Sequence, residues 1–129
     1  MRVERAGVAM GSELRLSAWS TDETAARAAL DAVFVEFERL EALMSNWRPG
    51  SDVLRINAAA GAAAVPVAAD VRDVLRQARQ ISEWTGGTFD VTFGALADVW
   101  KFDHDQDNTI PTPGAIRARL PLIDRKAHV

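Results

Sequence analysis

Cysteine is absent from the 129-residue chain. The chain therefore has no disulfide, no thiol nucleophile, no cysteine metal ligand and no cysteine to carry a lipid anchor. Long apolar runs are also absent, since none approaches the roughly 20 residues that a membrane helix needs. Residues Met1 to Arg5 lack the apolar core of a signal peptide. From these absences we expect a cytoplasmic protein with no membrane segment.

An excess of charge of one sign is also missing. The net charge is −3, and the basic residues are interspersed with acidic ones. Because there is no Lys/Arg stripe with interleaved aromatic residues, we expect no nucleic-acid partner. The sequence contains no Gly-x-Gly-x-x-Gly or Walker pattern, which removes the two usual phosphate-loop signals.

Metal sites have little support in this sequence. The acidic loop 103–108 has aspartates at three EF-hand positions, but Asn108 and Gly114 stand where calcium binding requires Gly and Glu. His104 and His128 have no neighbour at the spacing of a metal site or a catalytic triad, so we expect surface histidines. We assign no metal ligand and no catalytic residue in this chain.

Hydrophobic periodicity predicts an α+β fold, with helices packed on a mainly antiparallel sheet, in one domain or fragment over residues 1–129. From about Val3 to Trp19, apolar and polar residues alternate as in a half-buried strand. Several helices follow, and a last strand is predicted from Leu122 to Val129. The predicted helix N-caps are Ser20 in a capping box with Glu23, then Ser51, Asp70, Asp90 or Thr92, and Thr112.

The segment with the most functional signals is Gly86 to Leu96, followed by Trp100. It combines glycines, an aromatic residue, a carboxylate and a helix start. Its two adjacent glycines favour positive φ, and Asp90 or Thr92 can begin a helix that runs to Trp100. One interpretation is a turn that binds a ligand through its main chain. The other is an ordinary helix C-cap followed by a new helix.

Two further residues leave alternatives open. Trp47 stands beside a Pro-Gly turn, off the periodic apolar face, so it can stack on a flat heterocycle or fold back over the preceding helix. Met10 can offer its thioether to an aromatic ring, or it can be a core methionine at a strand bulge.

Three ordered motifs resemble the ApbE family of FAD:protein FMN transferases. The family pattern is M-G-T, then S-x-Y-x-x-x-S ending in Asn, then G-[AG]-x-[FM]-D-[VI]-T-x-G-P-L and a Trp. Here the motifs are Met10 to Ser12, Ser45 to Asn57, and Gly86 to Leu96 with Trp100. The chain departs from the pattern with Ser12 for Thr, Trp47 for Tyr and Ala95 for Pro.

The resemblance implies a function and a set of binding residues. Family members cleave the pyrophosphate of FAD and transfer FMN to a threonine of a target flavoprotein with Mg²⁺, or hydrolyse FAD as pyrophosphatases. It implies that FAD, the substrate, contacts the following residues: Met10, Trp47, Thr88, Phe89 and Asp90. The family's metal ligands lie downstream of the matched part, so we expect Mg²⁺ only in the full-length enzyme.

The resemblance therefore implies an N-terminal FAD-binding part with an incomplete fold, inactive by itself. Two alternatives stay open. The chain can be a naturally short homologue, or self-association or a second chain can complete the fold. Many relatives are periplasmic lipoproteins. Two other functions stay open: a non-catalytic flavin-binding or assembly module, and a helical interaction protein with Phe34, Phe37 and Trp84 at a dimer interface.

Overall fold

A β-hairpin opens the fold. The computed structural model describes residues 1–102 and 106–123. Strand β1 covers Arg2–Ala9 and strand β2 covers Ser12–Trp19, and they pair antiparallel. We predicted a single strand here, and that is wrong in one respect. The chain reverses at Met10 and Gly11, both of which have positive φ.

Four α-helices follow within the described residues. Helix α1 covers Glu23–Met44, α2 covers Asp52–Ala59, α3 covers Ala69–Trp84 and α4 covers Pro113–Arg119. Two 3-10 segments cover Val91–Leu96 and Leu120–Leu122. The predicted α+β fold, with helices on an antiparallel sheet, is confirmed. No helix in the described ranges is both long enough and apolar enough to cross a membrane.

The chain forms two compact units, Met1–Val71 and Arg72–Val129. In the first unit, α1 packs on one face of the hairpin. Val3, Ala26 and Leu30 are buried there, and Leu16 and Ala18 pack against them. This small core places α1 along the hairpin.

A second contact brings α1 very close to β1. The Phe34 ring lies directly on Gly7, where an added Cβ would be 2.6 Å from Phe34 Cε1. The Arg5 guanidinium lies 4.6 Å from the centre of the same ring and pairs with Asp31 at 2.6 Å. A Cβ at position 7 would therefore force the Phe34 ring to shift, so the lack of a side chain at Gly7 makes this close contact possible.

The N-caps were predicted with mixed success. Ser51 and Thr112 cap α2 and α4 through their hydroxyls, as predicted. The capping box at Ser20 is wrong, because Asp22 caps α1 and accepts the Ala25 N–H at 2.9 Å, while the Ser20 hydroxyl accepts the Asp22 N–H. Asp70 is also not a cap. It lies inside the first turn of α3.

Asp70 has a different partner. Its carboxylate accepts a hydrogen bond from Arg39 Nη1 at 3.0 Å, and Arg39 also binds Glu36 one turn earlier in α1. The Arg39 guanidinium lowers the pKa of Asp70 and of Glu36. This pair of contacts joins α1 to the first turn of α3 within the first unit.

The second unit contains most of α3 and everything after it. Ala78 is buried, whereas Val74, Ile81 and Trp84 keep 40% or more of their surface exposed, so the apolar side of α3 is buried only in part. An ion pair between Arg119 and Asp98 lies within this unit. The predicted last strand falls mainly on residues 124–129, and the EF-hand aspartates fall partly on 103–105; those stretches lie outside the described residues, as do His104 and His128.

Asp52 is a buried carboxylate that holds the chain after α2. It is 5% exposed. Its Oδ2 accepts the Ala68 N–H at 2.6 Å, and its Oδ1 pairs with Arg55, which also donates to the Pro66 carbonyl at 2.9 Å. The Ala68 N–H, and after it Arg55, lower the pKa of Asp52. A carboxylate whose pKa is lowered by folding stabilises the fold above its unfolded pKa, and loses that effect as the pH falls.

We therefore expect Asp52→Asn to lower the free energy of unfolding at neutral pH by about 1 to 3 kcal/mol, because hydrogen bonds to a buried charge are lost or weakened. The difference from the parent should shrink as the pH falls below about 4, since protonation makes the parent side chain neutral too. Denaturant unfolding curves across this pH range measure the effect.

Asp73→Asn is the matched control. Asp73 pairs with Arg76 at 2.7 Å on the exposed surface of α3, with 56% of its side chain exposed. Exposed ion pairs contribute little, so this variant should unfold like the parent. Equal losses in the two variants would contradict the role assigned to Asp52.

Candidate functional site

The hairpin turn presents Met10. Met10 and Gly11 have φ values of 51° and 74°, the positive values that a two-residue type I′ turn requires. A methionine rarely adopts this left-handed conformation, which costs about 1 to 2 kcal/mol per residue. Met10 is 48% exposed. The alternative of a core methionine at a strand bulge is therefore wrong.

Trp47 lies in the loop that leaves α1. Its side chain is 77% exposed, which disfavours the alternative of a ring folded back over the helix. The main chain around it is fixed, however. The Ser45 hydroxyl accepts the N–H groups of Trp47 at 3.0 Å and of Arg48 at 3.1 Å. Ser45 is also the C-cap residue of α1 and donates its own N–H to the Glu41 carbonyl.

The far end of this loop is closed by Ser51. The Ser51 hydroxyl donates to the Ser45 carbonyl at 2.7 Å and accepts the Leu54 N–H at 3.1 Å, and the residue is 1% exposed. Arg48 Nη2 binds Glu38 of α1 at 2.6 Å, and Glu38 raises the pKa of Arg48. The loop is therefore tied to itself and to α1 while its indole faces solvent.

The Met10 turn and the Trp47 loop lie at the same end of α1. The Met10 N–H donates to Glu41 Oε2 at 3.1 Å, in the last turn of the helix. Trp47 follows two residues after the C-cap of that helix. The first unit thus brings together Met10 and the Trp47 loop, which are far apart in the sequence.

In the second unit, α3 ends in a Schellman motif. The Gly87 N–H donates to the Ser82 carbonyl at 2.8 Å and the Gly86 N–H to the Glu83 carbonyl at 3.2 Å. Both glycines have positive φ, as predicted. These are the bonds that close a helix with a left-handed residue after its C-cap. The ordinary C-cap interpretation is therefore correct as local structure.

Thr85 organises the residues after this turn. Its hydroxyl accepts the Phe89 N–H at 3.2 Å, and its carbonyl accepts the Thr88 hydroxyl at 3.0 Å. Phe89 is 43% exposed. We did not single out Thr85 from the sequence, although a threonine just before two helix-ending glycines was the available signal.

Of the two predicted alternatives, Asp90 and Thr92, Asp90 is the N-cap. Its Oδ1 accepts the Thr92 N–H at 2.9 Å and the Thr92 hydroxyl at 2.6 Å. The helix that it begins is shorter than predicted, because the 3-10 segment ends at Leu96. Trp100 lies beyond it and stacks on Phe102 with ring centres 5.6 Å apart. The second unit therefore places Thr88, Phe89 and Asp90 in one turn.

The described residues do not fit a metal site. No group of three or more His, Cys, Asp and Glu side chains in residues 1–102 and 106–123 is arranged to hold a metal ion. We therefore derive no step through Mg²⁺ from this part of the chain.

Residues 10–129 match the ApbE family. An FAD:protein FMN transferase of Klebsiella pneumoniae (strain 342) is 33% identical over 113 residues, which cover 87% of this chain and 32% of that protein. An FAD:protein FMN transferase of Treponema pallidum (strain Nichols) is 31% identical over 127 residues, which cover 97% of this chain and 35% of that protein.

Solved structures show the same relation. The crystal structure of the ApbE protein of Thermotoga maritima superposes with a TM-score of 0.84 at 24% identity, covering 98% of this chain and 40% of that one. The apo form of the flavinyl transferase ApbE of Pseudomonas stutzeri gives 0.82 at 26% identity, covering 98% and 43%. This chain spans about a third of the length of the curated relatives, 32% and 35%. Over that span it belongs to the ApbE family.

Proposed function

We propose that this chain is the FAD-binding part of an FAD:protein FMN transferase. In the proposed reaction, a threonine hydroxyl of a target flavoprotein attacks the phosphorus of the FMN half of FAD. The pyrophosphate bond breaks, AMP leaves, and the hydroxyl proton is released. The family resemblance implies that Mg²⁺, held by residues outside the matched part, would supply a Lewis acid for this reaction.

The observation that carries this proposal is the exposed Trp47 on a fixed main chain. The indole is 77% exposed, yet the loop beneath it is held by Ser45 and Ser51. With the main chain held, only the two side-chain torsions of Trp47 have to be fixed when a second flat ring stacks on it, which keeps the entropic cost low. We assign that second ring as the isoalloxazine of FAD, with the Met10 thioether touching it.

In the second unit, the family resemblance assigns Thr88, Phe89 and Asp90 to FAD. We assign Thr88 and Phe89 to contacts made partly through the main chain, which the Thr85 bonds support by fixing that turn. We assign Asp90 to accept a hydrogen bond from a flavin or ribose group. It already accepts two bonds from Thr92 through Oδ1, so the proposed role is additional to capping.

Removing the stacking ring tests the proposal. In the full-length gene product, Trp47→Ala should weaken FAD binding by about 1 to 2 kcal/mol, roughly tenfold in Kd. Trp47→Phe should reduce the part of the tryptophan emission that FAD quenches. Fluorescence titration measures both quantities.

Trp19 provides the matched control, because it is 79% exposed on β2. Trp19→Phe should leave the quenched part of the emission unchanged. Asp90→Asn keeps the size and much of the capping ability, so it tests the charge. Unchanged FAD affinity in both Trp47→Ala and Asp90→Asn, with parental melting curves, would make the site assignment wrong and leave only the family fold.

The strained turn gives a second test. Met10→Asn should raise the free energy of unfolding by about 0.5 to 1 kcal/mol, because asparagine adopts positive φ more easily than methionine. The same variant should weaken FAD binding, since the thioether is gone. Thermal melts measure the gain in stability, and the FAD titration measures the loss of affinity.

Met10→Leu is the control: it keeps an apolar side chain and should gain no stability. A Met10→Asn variant that is both more stable and equally tight for FAD would remove Met10 from the site.

An activity assay tests whether the residues needed for catalysis lie outside the 129-residue chain. The 129-residue chain should release no AMP from FAD with Mg²⁺, because the family's metal ligands lie downstream of the matched part. A form that also contains the family's metal-binding part should transfer FMN and lose that activity with EDTA. Chromatographic detection of AMP against a protein-free blank measures both. Turnover by the 129-residue chain would show that catalytic residues lie within it.

A further inference from the structure

Glu41 breaks a local rule of helix design. It lies in the last turn of α1, and that turn, Glu41 to Met44, holds no basic residue. The C-terminal end of a helix carries partial negative charge, so a carboxylate there is unfavourable unless something else binds it. Glu38, one turn earlier, has its own partner in Arg48 at 2.6 Å, and the charge of Glu41 is a smaller cause of the raised pKa of Arg48.

What binds Glu41 is the hairpin turn. Glu41 Oε2 accepts the Met10 N–H at 3.1 Å, across 31 positions of sequence. The strand register ends with Ala9 opposite Ser12, so the Met10 N–H takes no part in the pairing of β1 with β2. The carboxylate satisfies this N–H in a residue that has the unfavourable φ of 51°.

The main chain of the same residue holds the other segment. The Glu41 carbonyl accepts the Ser45 N–H at 2.9 Å, and the Ser45 hydroxyl accepts the Trp47 N–H at 3.0 Å. Three hydrogen bonds therefore link the Met10 backbone to the Trp47 backbone. They connect through the covalent structure of Glu41 and Ser45, each of which takes part in two of them. Glu38 strengthens one end of this series, because it pairs with Arg48 in the Trp47 loop.

We propose that Glu41 is a positioning residue that sets the distance between the Met10 turn and the Trp47 loop, so that thioether and indole meet the same planar ring. The inference rests on the proposed function, since it assigns that ring as the flavin of FAD. Glu41 does not touch the ring itself. It acts by tying the hairpin turn to the last turn of α1, from which the Trp47 loop leaves.

The test compares two substitutions in the full-length gene product. Glu41→Ala removes the acceptor and should weaken FAD binding roughly three- to tenfold, the effect of one hydrogen bond. Glu41→Gln keeps an acceptor oxygen and should stay within about twofold of the parent. Hydrogen exchange of the Met10 amide should become faster in Glu41→Ala than in Glu41→Gln. Fluorescence titration gives Kd, and amide exchange gives the local readout.

Glu23→Ala is the matched control, because Glu23 lies at the other end of α1 and pairs only locally with Arg27 at 2.6 Å. It should leave both Kd and the Met10 exchange rate unchanged. A double variant, Glu41→Ala with Trp47→Ala, separates positioning from general stability. If Glu41 acts through the Trp47 loop, the double variant should bind FAD better than the product of the two single effects predicts.

The outcomes distinguish this inference from the function on which it rests. If Trp47→Ala weakens FAD binding and Glu41→Ala does not, the proposed site stands and the positioning role is wrong. The role is also wrong if the two single effects multiply in full, or if Glu41→Gln loses as much affinity as Glu41→Ala while melting like the parent. Absence of FAD binding by the parent would overturn the proposed function and the inference together.

Discussion

Close packing of α1 on the β-hairpin fixes the geometry at the far end of the helix. Phe34 lies directly on Gly7, and Leu30 and Ala26 bury Val3. Because Gly7 has no Cβ, the Phe34 ring of α1 can lie directly on the backbone of β1. That approach brings the last turn of α1 to the hairpin turn, where the Glu41 carboxylate reaches the Met10 N–H. The hydrogen bonds around Met10 and Trp47 depend on this packing.

Two features that lower the stability of the fold lie next to the proposed binding site. Met10 has a φ that disfavours methionine, and Glu41 places a negative charge at a helix C-terminus. Each choice lowers stability by itself, and the bond between the two residues offsets part of each cost. Proteins commonly retain such conflicts between local preference and tertiary structure at functional sites. The unfavourable conformation of the hairpin turn is therefore consistent with the functional role proposed for Met10.

The sequence predicted what short-range chemistry controls. Ser51 and Thr112 were identified as caps, and Asp90 as one of two alternatives, because each stands just before its helix and can reach an N–H two or three residues on. The choice of Ser20 over Asp22 failed because both residues satisfy the same short-range rule. Only the exact start of α1, which tertiary packing decides, separates them.

Long-range contacts were beyond such reasoning. Nothing near Glu41 in the sequence marks it as the partner of Met10, and nothing near Asp70 points to Arg39. The hairpin turn was missed for a related reason. Met-Gly is an unusual pair for a type I′ turn, which normally uses Asn-Gly, so the alternating pattern appeared to continue through it. The candidate binding residues came from the family resemblance and not from periodicity.

The spacing of the second motif has a physical explanation in the loop after α1. Ser45 and Ser51 stand six residues apart, and both of their hydroxyls bind only main-chain atoms of this loop and of the first turn of α2. The loop is thus closed without any contribution from the aromatic side chain between them. A ring at position 47 can therefore change from the usual Tyr of the family to Trp without altering the main chain that presents it. The two serines hold the main chain of the loop, so the side chain at position 47 can vary independently of the loop conformation.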